Sequence, residues 1–435
     1  MGKFTKDSLI TFITRVLSLI FGLGTSVIIA RVLGPEGKGI YALAILLPAT
    51  LIMFCNFGIA QASVFYIGKK KYSVEEIFGN NIIFSFLLTI FTLLIGLIIT
   101  FFFANSLFPN VAKGYFLLAL FLLPLNFFLS FVNYILLGLQ KIKEFNFIRI
   151  LQNFMFLILI ILFLLGLGLG LKAVIVANIL SCFFGTIFLF FLARKIIGSP
   201  SLHFNKSYFK DAFYYGTKIY LGNIIQFFHY RIDMFLINIF LNPIAVGFYS
   251  VAVVISEGIW LVSQSAGTVL FPRVSSETDK KRLKEFTPAV CRNVLFITAL
   301  GSILLFFLSR WLIILLYSEK FLDSVLPFQI LLIGTVTISG WRILVNDLYG
   351  RGRPELNIYI SLFSVILNII LNVIWIPEYG IAGAAWATSI SYTFAFVSIT
   401  IVYSRISGNG INDIIFVKRS DFNFYRNLMR LFKNR

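Results

Sequence analysis

The chain has 435 residues, of which 59% are hydrophobic and 13% are charged, and its mean hydropathy is +0.93. This apolar share is far above that of a soluble globular domain, and it leaves no room for a separate soluble domain. The formal net charge of +19 would suggest nucleic-acid binding in a soluble protein, but in a membrane the position of each charge matters more than the sum. The composition therefore predicts an integral membrane protein with no nucleic-acid partner.

Apolar runs alternate with short polar breaks along the whole chain. A helix needs about 20 apolar residues to cross the hydrocarbon core. In chain order, the runs predict twelve transmembrane helices, at about residues 9–33, 39–67, 79–104, 114–138, 147–166, 173–193, 211–241, 244–271, 287–309, 324–349, 357–375 and 381–403. The first run follows two lysines, as in a signal peptide, but it continues to about Leu33 without a small-residue cleavage site, so we interpret it as a retained helix.

Basic residues concentrate in every second loop, for example in Lys69–Lys71 and Lys280–Lys284, and in the two ends of the chain. The other loops hold only a few cations, which are Arg31, Lys38, Lys113, Lys172, Arg310 and Lys320. Because lysine and arginine in loops favour the cytoplasm, the asymmetry predicts that both termini are cytoplasmic. An even number of spans agrees with this orientation.

The cysteines Cys55, Cys182 and Cys291 all fall in or at the edges of apolar spans. An odd number of cysteines in such positions argues against a disulfide framework. We interpret them as packing residues, and we predict no metal site and no bound cofactor.

Three pairs of segments repeat at nearly one offset. The pairs are Ile29–Ala44 (IARVLGPEGKGIYALA) with Ile237–Ala252 (INIFLNPIAVGFYSVA) at 208 residues, Glu144–Asn146 with Glu355–Asn357 at 211, and Gly170–Ser181 with Gly380–Ser391 at 210. The repeat predicts two pseudo-symmetric six-helix bundles, at residues 1–200 and 205–405. Because six is even, both bundles enter the membrane in the same direction, and their pseudo-twofold axis runs along the membrane normal.

A basic tail follows the second bundle, at residues 406–435. Its segment DFNFYRNLMRLFKNR places Phe422, Tyr425, Met429 and Phe432 on one stripe, with basic residues around it. This pattern is typical of a helix that lies on the inner leaflet. A disordered basic tail is the alternative interpretation.

Several short motifs resemble those of a transporter family. They are Thr14–Val16, Ala30–Glu36 (ARVLGPE), Arg231–Asp233 (RID) and Glu319–Phe321 (EKF). Together they resemble the polysaccharide-transporter branch of the multidrug/oligosaccharidyl-lipid/polysaccharide exporter superfamily, over essentially all twelve spans. The resemblance is less close to the flippases of the peptidoglycan lipid precursor, which usually have fourteen spans.

The resemblance implies a MATE-like all-α fold and the function of a Wzx-type flippase. Such a protein moves a polyprenyl-diphosphate-linked oligosaccharide from the cytoplasmic to the outer leaflet by alternating access, for cell-surface polysaccharides such as O-antigen. The implied partners are the membrane, this glycan substrate, and a glycan polymerase or glycosyltransferases. We expect the protein to be a monomer.

Ionisable residues inside the predicted spans are few, and such residues normally face a cavity or a partner. Arg15 and Lys218 lie about two turns inside the first and seventh spans, which are equivalent helices of the two halves, and Arg342 lies at a similar depth in the tenth span. Their positive charges suit an anionic diphosphate headgroup. The alternative is that they form ion pairs that only hold helices together.

Helical periodicity adds neighbours to two of these cations. A step of 100° per residue puts Ser26 on nearly the same face as Arg15, and His229 and Asp233 within about 60° of Lys218. We therefore predict that Ser26 and His229 line the substrate cavity.

Glu257, near the middle of the eighth span, is the best candidate for a carrier of a coupling proton or sodium ion, and Asp233 is the second. Either carboxylate would serve equally well to neutralise a neighbouring cation. The membrane potential alone is the other possible driving force, because it favours the outward movement of negative charge.

Other functions fit the sequence less well. A membrane glycosyl polymerase or ligase needs a catalytic group set, usually on a large outer loop, yet the outer loops are short and His203 and His229 are the only histidines. We therefore predict no enzymatic activity. The nearer alternative is a cation-coupled multidrug exporter of the same fold, but its lipophilic cations would favour acids over Arg15 and Lys218 in the cavity.

Overall fold

The computed structural model describes residues 3–276, 279–419 and 421, and all regular structure in these residues is helical. The α-helices are α1 (Lys3–Cys55), α2 (Ile59–Lys69), α3 (Val74–Ile98), α4 (Ala104–Leu107), α5 (Lys113–Ala119), α6 (Leu122–Gly138), α7 (Ile142–Ile160), α8 (Leu171–Ile197), α9 (Lys206–Phe240), α10 (Pro243–Gly258), α11 (Trp260–Ser276), α12 (Lys280–Tyr317), α13 (Val325–Gly350), α14 (Pro354–Ser407) and α15 (Ile411–Ile415). The π-helical segments Ile99–Phe103 and Ile161–Gly166 continue α3 and α7, and the 3-10 segment Glu319–Ser324 precedes α13.

Each of the twelve predicted spans falls on helix for most of its length. In the part of the chain that the structure describes, eight helical stretches are long and apolar enough to cross a membrane, or nine if α10 and α11, which are bent by 42°, form one span. Helix α9 is outside this set, and it carries Gln226, His229, Arg231 and Asp233 within two turns. The all-helical, multi-pass architecture is confirmed, whereas the number of twelve crossings stays a prediction.

Two helices are much longer than one crossing requires, and each is broken near its middle. The backbone leaves helical geometry at Gly34 of α1 (φ 69°, ψ −175°) and at Gly380 of α14 (φ 60°, ψ −142°). A positive φ costs glycine little, because glycine has no Cβ. Pro35 follows Gly34 at the first turn of the next helical segment, where the missing N–H of proline has no intrahelical partner to lose.

The sequence repeat coincides with a repeat of helix junctions. Its first pair falls at the break at Gly34 and at the gap between α9 and α10. Its second pair falls at the beginnings of α7 and α14, and its third at Gly170, which precedes α8, and at Gly380. The spacing of the repeat therefore corresponds to a spacing of backbone features as well as of residue types.

The chain divides into two compact units. Unit 1 comprises Met1–Val251 and Ile314–Phe321, and unit 2 comprises Ala252–Ile313 and Leu322–Arg435. Unit 1 extends beyond the predicted bundle boundary near residue 200, since α9 packs against α1 and α2. The assignment of bundles to residues 1–200 and 205–405 by the repeat stays a prediction.

The core of unit 1 lies among α2, α3, α6 and α8, and it contains fully buried rings such as Phe78, Phe127 and Phe131. Polar groups inside it are hydrogen-bonded: the Asn81 amide donates to Ser63 Oγ (2.9 Å) and to the carbonyl of Phe131 (3.1 Å). Such bonds avoid the cost of an unsatisfied buried amide. The cysteines are buried and unpaired, as predicted from their positions.

In unit 2, a buried ion pair fixes the segment after α14 to α12. Arg292 binds Asp421 through two hydrogen bonds, of 2.5 and 2.6 Å, and donates a third to the carbonyl of Asp413 (3.1 Å). The Arg292 guanidinium holds the pKa of Asp421 below its ordinary value. The predicted tail helix after Asp421, with Phe422, Tyr425, Met429 and Phe432, lies outside the described residues.

We expect the Arg292–Asp421 pair to determine the stability of this end of unit 2. The Asp421→Ala variant leaves the Arg292 charge buried without its carboxylate, so the free energy of unfolding should fall by about 3–5 kcal/mol. The measurement is thermal unfolding of the purified full-length protein. The control is Asp279→Ala, which loses an exposed ion pair with Arg282 (3.6 Å), and its melting temperature should stay nearly unchanged. Equal effects of the two variants would contradict the stabilising role of the Arg292–Asp421 pair.

Candidate functional site

Arg15 lies in α1 directly after the buried Thr14, and its side chain is partly exposed. A methyl group added at Gly22, two turns further along the predicted Arg15 face, would meet no atom within 4 Å. The same is true of Gly222 in α9, one turn beyond Lys218. Both predicted faces therefore border open space at these positions. The side chain of Lys218 lies outside the described part of the structure, so its convergence with Arg15 stays a prediction.

Ser26 lies in a buried polar cluster rather than on an exposed surface of α1. Its Oγ accepts hydrogen bonds from Lys38 Nζ (2.9 Å) and from the hydroxyl of Tyr317 (3.1 Å). Ser26 and Lys38 are each only 5% exposed, and Tyr317 is fully buried. We call these three residues the outer cluster. The sequence pattern places Lys38 among the loop cations, whereas in the structure Lys38 is helical, beyond the break at Gly34, and its side chain reaches back across that break.

Arg31 fixes the end of α12 beside the outer cluster. Its guanidinium donates hydrogen bonds to the carbonyl groups of Leu315 and, at 2.7 Å, Leu316. These carbonyls belong to the last turn of α12, where helix carbonyls have no intrahelical partner. Tyr317 follows immediately, so the bonds of Arg31 also position the Tyr317 hydroxyl.

Two outer turns of unit 1 touch through their backbones. We name the two turns after the predicted orientation: outer turn 1 is residues 34–39, and outer turn 2 is its repeat equivalent, residues 242–247. A Cβ at Gly39 would overlap the carbonyl oxygen of Pro243, and a Cβ at Gly247 would overlap the carbonyl oxygen of Pro35. The absence of a side chain at both glycines therefore allows this contact.

A second glycine contact joins α9 to the beginning of α2. A Cβ at Gly58 would overlap the carbonyl of Gly216, and a Cβ at Gly216 would overlap the carbonyl of Phe57. Nearby, the Tyr220 hydroxyl donates to the carbonyl of Phe54. These contacts hold α9 against the first two helices of the chain.

Asp233 and His229 lie in the buried part of α9. Asp233 is 3% exposed; one of its carboxylate oxygens accepts from the Tyr249 hydroxyl (2.6 Å) and the other from the Met234 amide (2.7 Å). His229 is also buried, and its ring stacks on Tyr230, with 6.2 Å between the centroids. Their predicted roles in ion coupling and substrate binding stay predictions.

Arg342 and Glu257 belong to unit 2. The Arg342 guanidinium lies 4.0 Å from the centroid of the Trp260 ring, a distance typical of a cation–π interaction. Glu257 is partly buried and lies directly before the bend between α10 and α11. The bend places this carboxylate at an interruption of regular helix.

Sequence reasoning missed two polar features. Lys38 escaped notice because its only visible signal was a charge beside a proline–glycine turn. The second feature is a set of buried polar side chains in α14. Those before the break at Gly380 are Asn357, Ser361, Ser364, Asn368 and Asn372, and those after it are Thr388 and Ser391. Asn368, for example, donates to Ser391 Oγ (3.2 Å). The spacing of three and four residues along α14 could have revealed this set.

A family model described as "Polysaccharide biosynthesis protein" matches residues 28–326 of the chain. The chain belongs to this family. A probable low-salt glycan biosynthesis flippase of Haloferax volcanii is 29% identical over 237 residues, and this match spans 49% of each protein. A capsular polysaccharide biosynthesis protein of Staphylococcus aureus is 24% identical over 91% of this chain and 98% of its own length. A putative O-antigen transporter of Shigella flexneri is 24% identical over 50% of this chain and 52% of its own.

Solved transporter structures share the fold of this chain. A lipid II flippase, MurJ, superposes with a TM-score of 0.77 at 20% identity, covering 93% of this chain and 89% of that one. An inward-facing multidrug resistance MATE transporter superposes with a TM-score of 0.74 at 15% identity, covering 92% and 98%. The MATE-like fold is therefore confirmed.

The contact between the outer turns yields a testable expectation. In Gly39→Ala the added methyl group overlaps the Pro243 carbonyl, so the two turns must separate. The measurement is labelling of a Ser250→Cys reporter by a membrane-impermeant maleimide, in a chain whose three native cysteines are alanine. Ser250 is buried beside outer turn 2, so labelling should become faster in Gly39→Ala.

The matched control is Gly114→Ala, because a methyl group at Gly114 meets no atom within 4 Å. Its labelling rate should equal that of the parent chain. Equal rates in both glycine variants would mean that the glycine contact does not close unit 1.

Proposed function

We propose that the protein is a flippase that moves a polyprenyl-diphosphate-linked oligosaccharide from the cytoplasmic to the outer leaflet. Family membership supports a role in polysaccharide biosynthesis, and relatives are named as a glycan flippase and an O-antigen transporter. These names denote transporters and not enzymes, in agreement with the absence of a catalytic motif in the sequence. We assign no catalytic residue.

The sign of the charges inside the helices of unit 1 carries this proposal. Among the charged residues of α1 and α9, Arg15, Lys38, Lys218 and Arg231 are cations, and the buried acid Asp233 accepts a hydrogen bond from Tyr249. Charged groups are costly inside a membrane, and an excess of one sign there favours a cargo of the opposite sign. A diphosphate is such a cargo, since it binds several charge-assisted donors at once.

The same charges argue against export of lipophilic cations. A cation-coupled multidrug exporter of this fold would need carboxylates that face its cargo. Asp233 is buried, and Glu257 lies at the bend between α10 and α11. We assign these two carboxylates to ion coupling, with a proton or sodium ion as the coupling ion.

The membrane potential supplies a second source of energy. Moving two negative charges outward across an inside-negative membrane gains about 4.6 kcal/mol per 100 mV. Transport therefore needs no nucleotide, and the potential and the coupling ion act in the same direction if the ion enters the cell.

The proposed transport cycle is alternating access across twelve membrane crossings with both termini in the cytoplasm. Helices α1 and α14 supply two crossings each, and α9 supplies one despite its polar residues. In unit 1 the outer turns are in contact, while the faces at Gly22 and Gly222 border open space. This combination supports a stage of the cycle in which the cargo enters from the cytoplasmic side, where Arg15 and Lys218 lie.

We place this activity in the inner membrane of a bacterial or archaeal cell, with the protein acting as a monomer. Glycosyltransferases that build the oligosaccharide on its lipid would act before it. A polymerase at the outer face would use the delivered glycan.

We expect Arg15 and Lys218 to be required for flipping. In proteoliposomes that carry a fluorescent polyprenyl-diphosphate-linked disaccharide, flipping is measured as the change in the fraction of label that an external quencher reaches. Arg15→Ala and Lys218→Ala each remove one charged donor, so the rate should fall by about tenfold or more. Arg15→Lys should retain part of the rate, because the charge remains.

The control variant is Lys70→Ala, which removes an exposed charge from the loop after α2. Its rate should equal that of the wild-type protein. Wild-type rates in both Arg15→Ala and Lys218→Ala would rule out the binding role, and transport of a lipophilic cation in place of the lipid-linked glycan would favour the multidrug exporter.

A further inference from the structure

The outer cluster is rich in hydrogen-bond donors and poor in acceptors. Lys38 supplies three N–H groups, and Ser26 and Tyr317 supply a hydroxyl each, but the only acceptor that the described contacts give to Lys38 is Ser26 Oγ. The described residues include no carboxylate at ion-pair distance from Lys38 Nζ. The cluster is therefore a buried lysine whose described hydrogen-bond acceptor is a single hydroxyl group.

This arrangement is costly unless an anion compensates it. A buried ammonium group normally has a carboxylate partner, because leaving water costs a charge several kcal/mol. Arg292 of unit 2 follows this rule, since it is buried against Asp421. Lys38 is buried to a similar extent, and its described hydrogen bond goes to the Ser26 hydroxyl. A phosphate group would accept hydrogen bonds from all three side chains of the outer cluster and would neutralise the charge.

The outer cluster lies along the same face of α1 as Arg15. Ser26 lies on nearly the same face of α1 as Arg15, eleven residues further along the helix, which corresponds to about 16 Å. Lys38 returns to this face from beyond the break at Gly34. One face of α1 therefore has a cation near its predicted cytoplasmic end and a second cation near its predicted outer end.

Lys38 lies beside the contact between the outer turns. It is the immediate neighbour of Gly39, whose backbone packs against Pro243 of outer turn 2. With the turns in contact, the Lys38 side chain is only 5% exposed. A movement that separates the turns would displace the helix end that carries Lys38.

We propose that Lys38, Ser26 and Tyr317 form a second anion-binding site, which takes the diphosphate of the cargo from the Arg15 end of α1 once the outer turns separate. The inference rests on the proposed flippase function and adds a site to it. A free anion such as chloride would satisfy the same donors. We assign the site to the lipid-linked diphosphate because it lies on the face that begins at Arg15.

The experiment compares three variants of the full-length protein in proteoliposomes, with the fluorescent polyprenyl-diphosphate-linked disaccharide as the probe. Lys38→Gln keeps a donor near Ser26 but removes the charge, so flipping should fall by about tenfold or more. Lys38→Arg keeps the charge and should retain most of the rate. The control is Lys320→Gln, which removes an exposed lysine three residues after Tyr317, and its rate should not change.

Thermal unfolding separates binding from a structural role. Removal of a buried charge that has no carboxylate partner does not destabilise a fold, so the melting temperature of Lys38→Gln should equal or exceed that of the wild-type protein. If Lys38→Gln does not fold, the test uses Tyr317→Phe and Ser26→Ala, which remove one hydroxyl each. We expect a reduced flipping rate in both variants.

The proposal would be overturned if Lys38→Gln flips at the wild-type rate. If Lys38→Gln does not fold, wild-type rates in both Tyr317→Phe and Ser26→Ala would overturn it. A second result would also overturn it. If wild-type flipping stops when gluconate replaces chloride, and flipping by Lys38→Gln does not depend on chloride, the site holds chloride and not the diphosphate. Failure of this proposal leaves the flippase function intact if the flipping rate of Arg15→Ala is still reduced by about tenfold or more. Failure of the wild-type protein to move the probe would refute the flippase function itself.

Discussion

The close approach of the two outer turns is the contact on which the arrangement of unit 1 depends. It is reciprocal: Gly39 packs on the Pro243 carbonyl, and Gly247 packs on the Pro35 carbonyl. A reciprocal contact is what a twofold axis produces between equivalent elements. In a membrane the hydrophobic effect does not draw helices together, so direct backbone packing at small residues contributes much of their association. The glycine at both positions of the repeat therefore allows the two turns to meet.

The two units bury charge in different ways. In unit 2, Arg292 binds Asp421 and Arg351 binds Asp347, so these two arginines each have an opposite charge within the protein. In unit 1, Lys38 is buried with hydroxyl groups. Permanent pairing suits a contact that must hold throughout a transport cycle. A cation without a permanent acid partner suits a site that exchanges its ligand.

Apolar runs and turn residues were sufficient to predict most of the fold. The lengths of the runs predicted the helices, and the polar gaps between predicted spans, at about residues 33–39 and 375–381, lie at the breaks at Gly34 and Gly380. The site was less predictable. Periodicity within one helix identified Ser26 as a neighbour of Arg15, but it could not identify Lys38, because the chain reverses direction between them. A contact across a break depends on the angle between two helices, and the sequence pattern does not specify that angle.

The charge of Lys38 and the packing contact of Gly39 with Pro243 lie at the same end of one helix. Lys38 and Gly39 are consecutive residues, so a movement that separates the outer turns also moves the ammonium group. A ligand shifts a conformational equilibrium only by its difference in affinity for the two states. An anion that reaches Lys38 only after the turns separate stabilises the separated state. Without an anion, the donors of the outer cluster bind one another and the glycine contact re-forms, so the cargo itself would favour the opening through which it leaves.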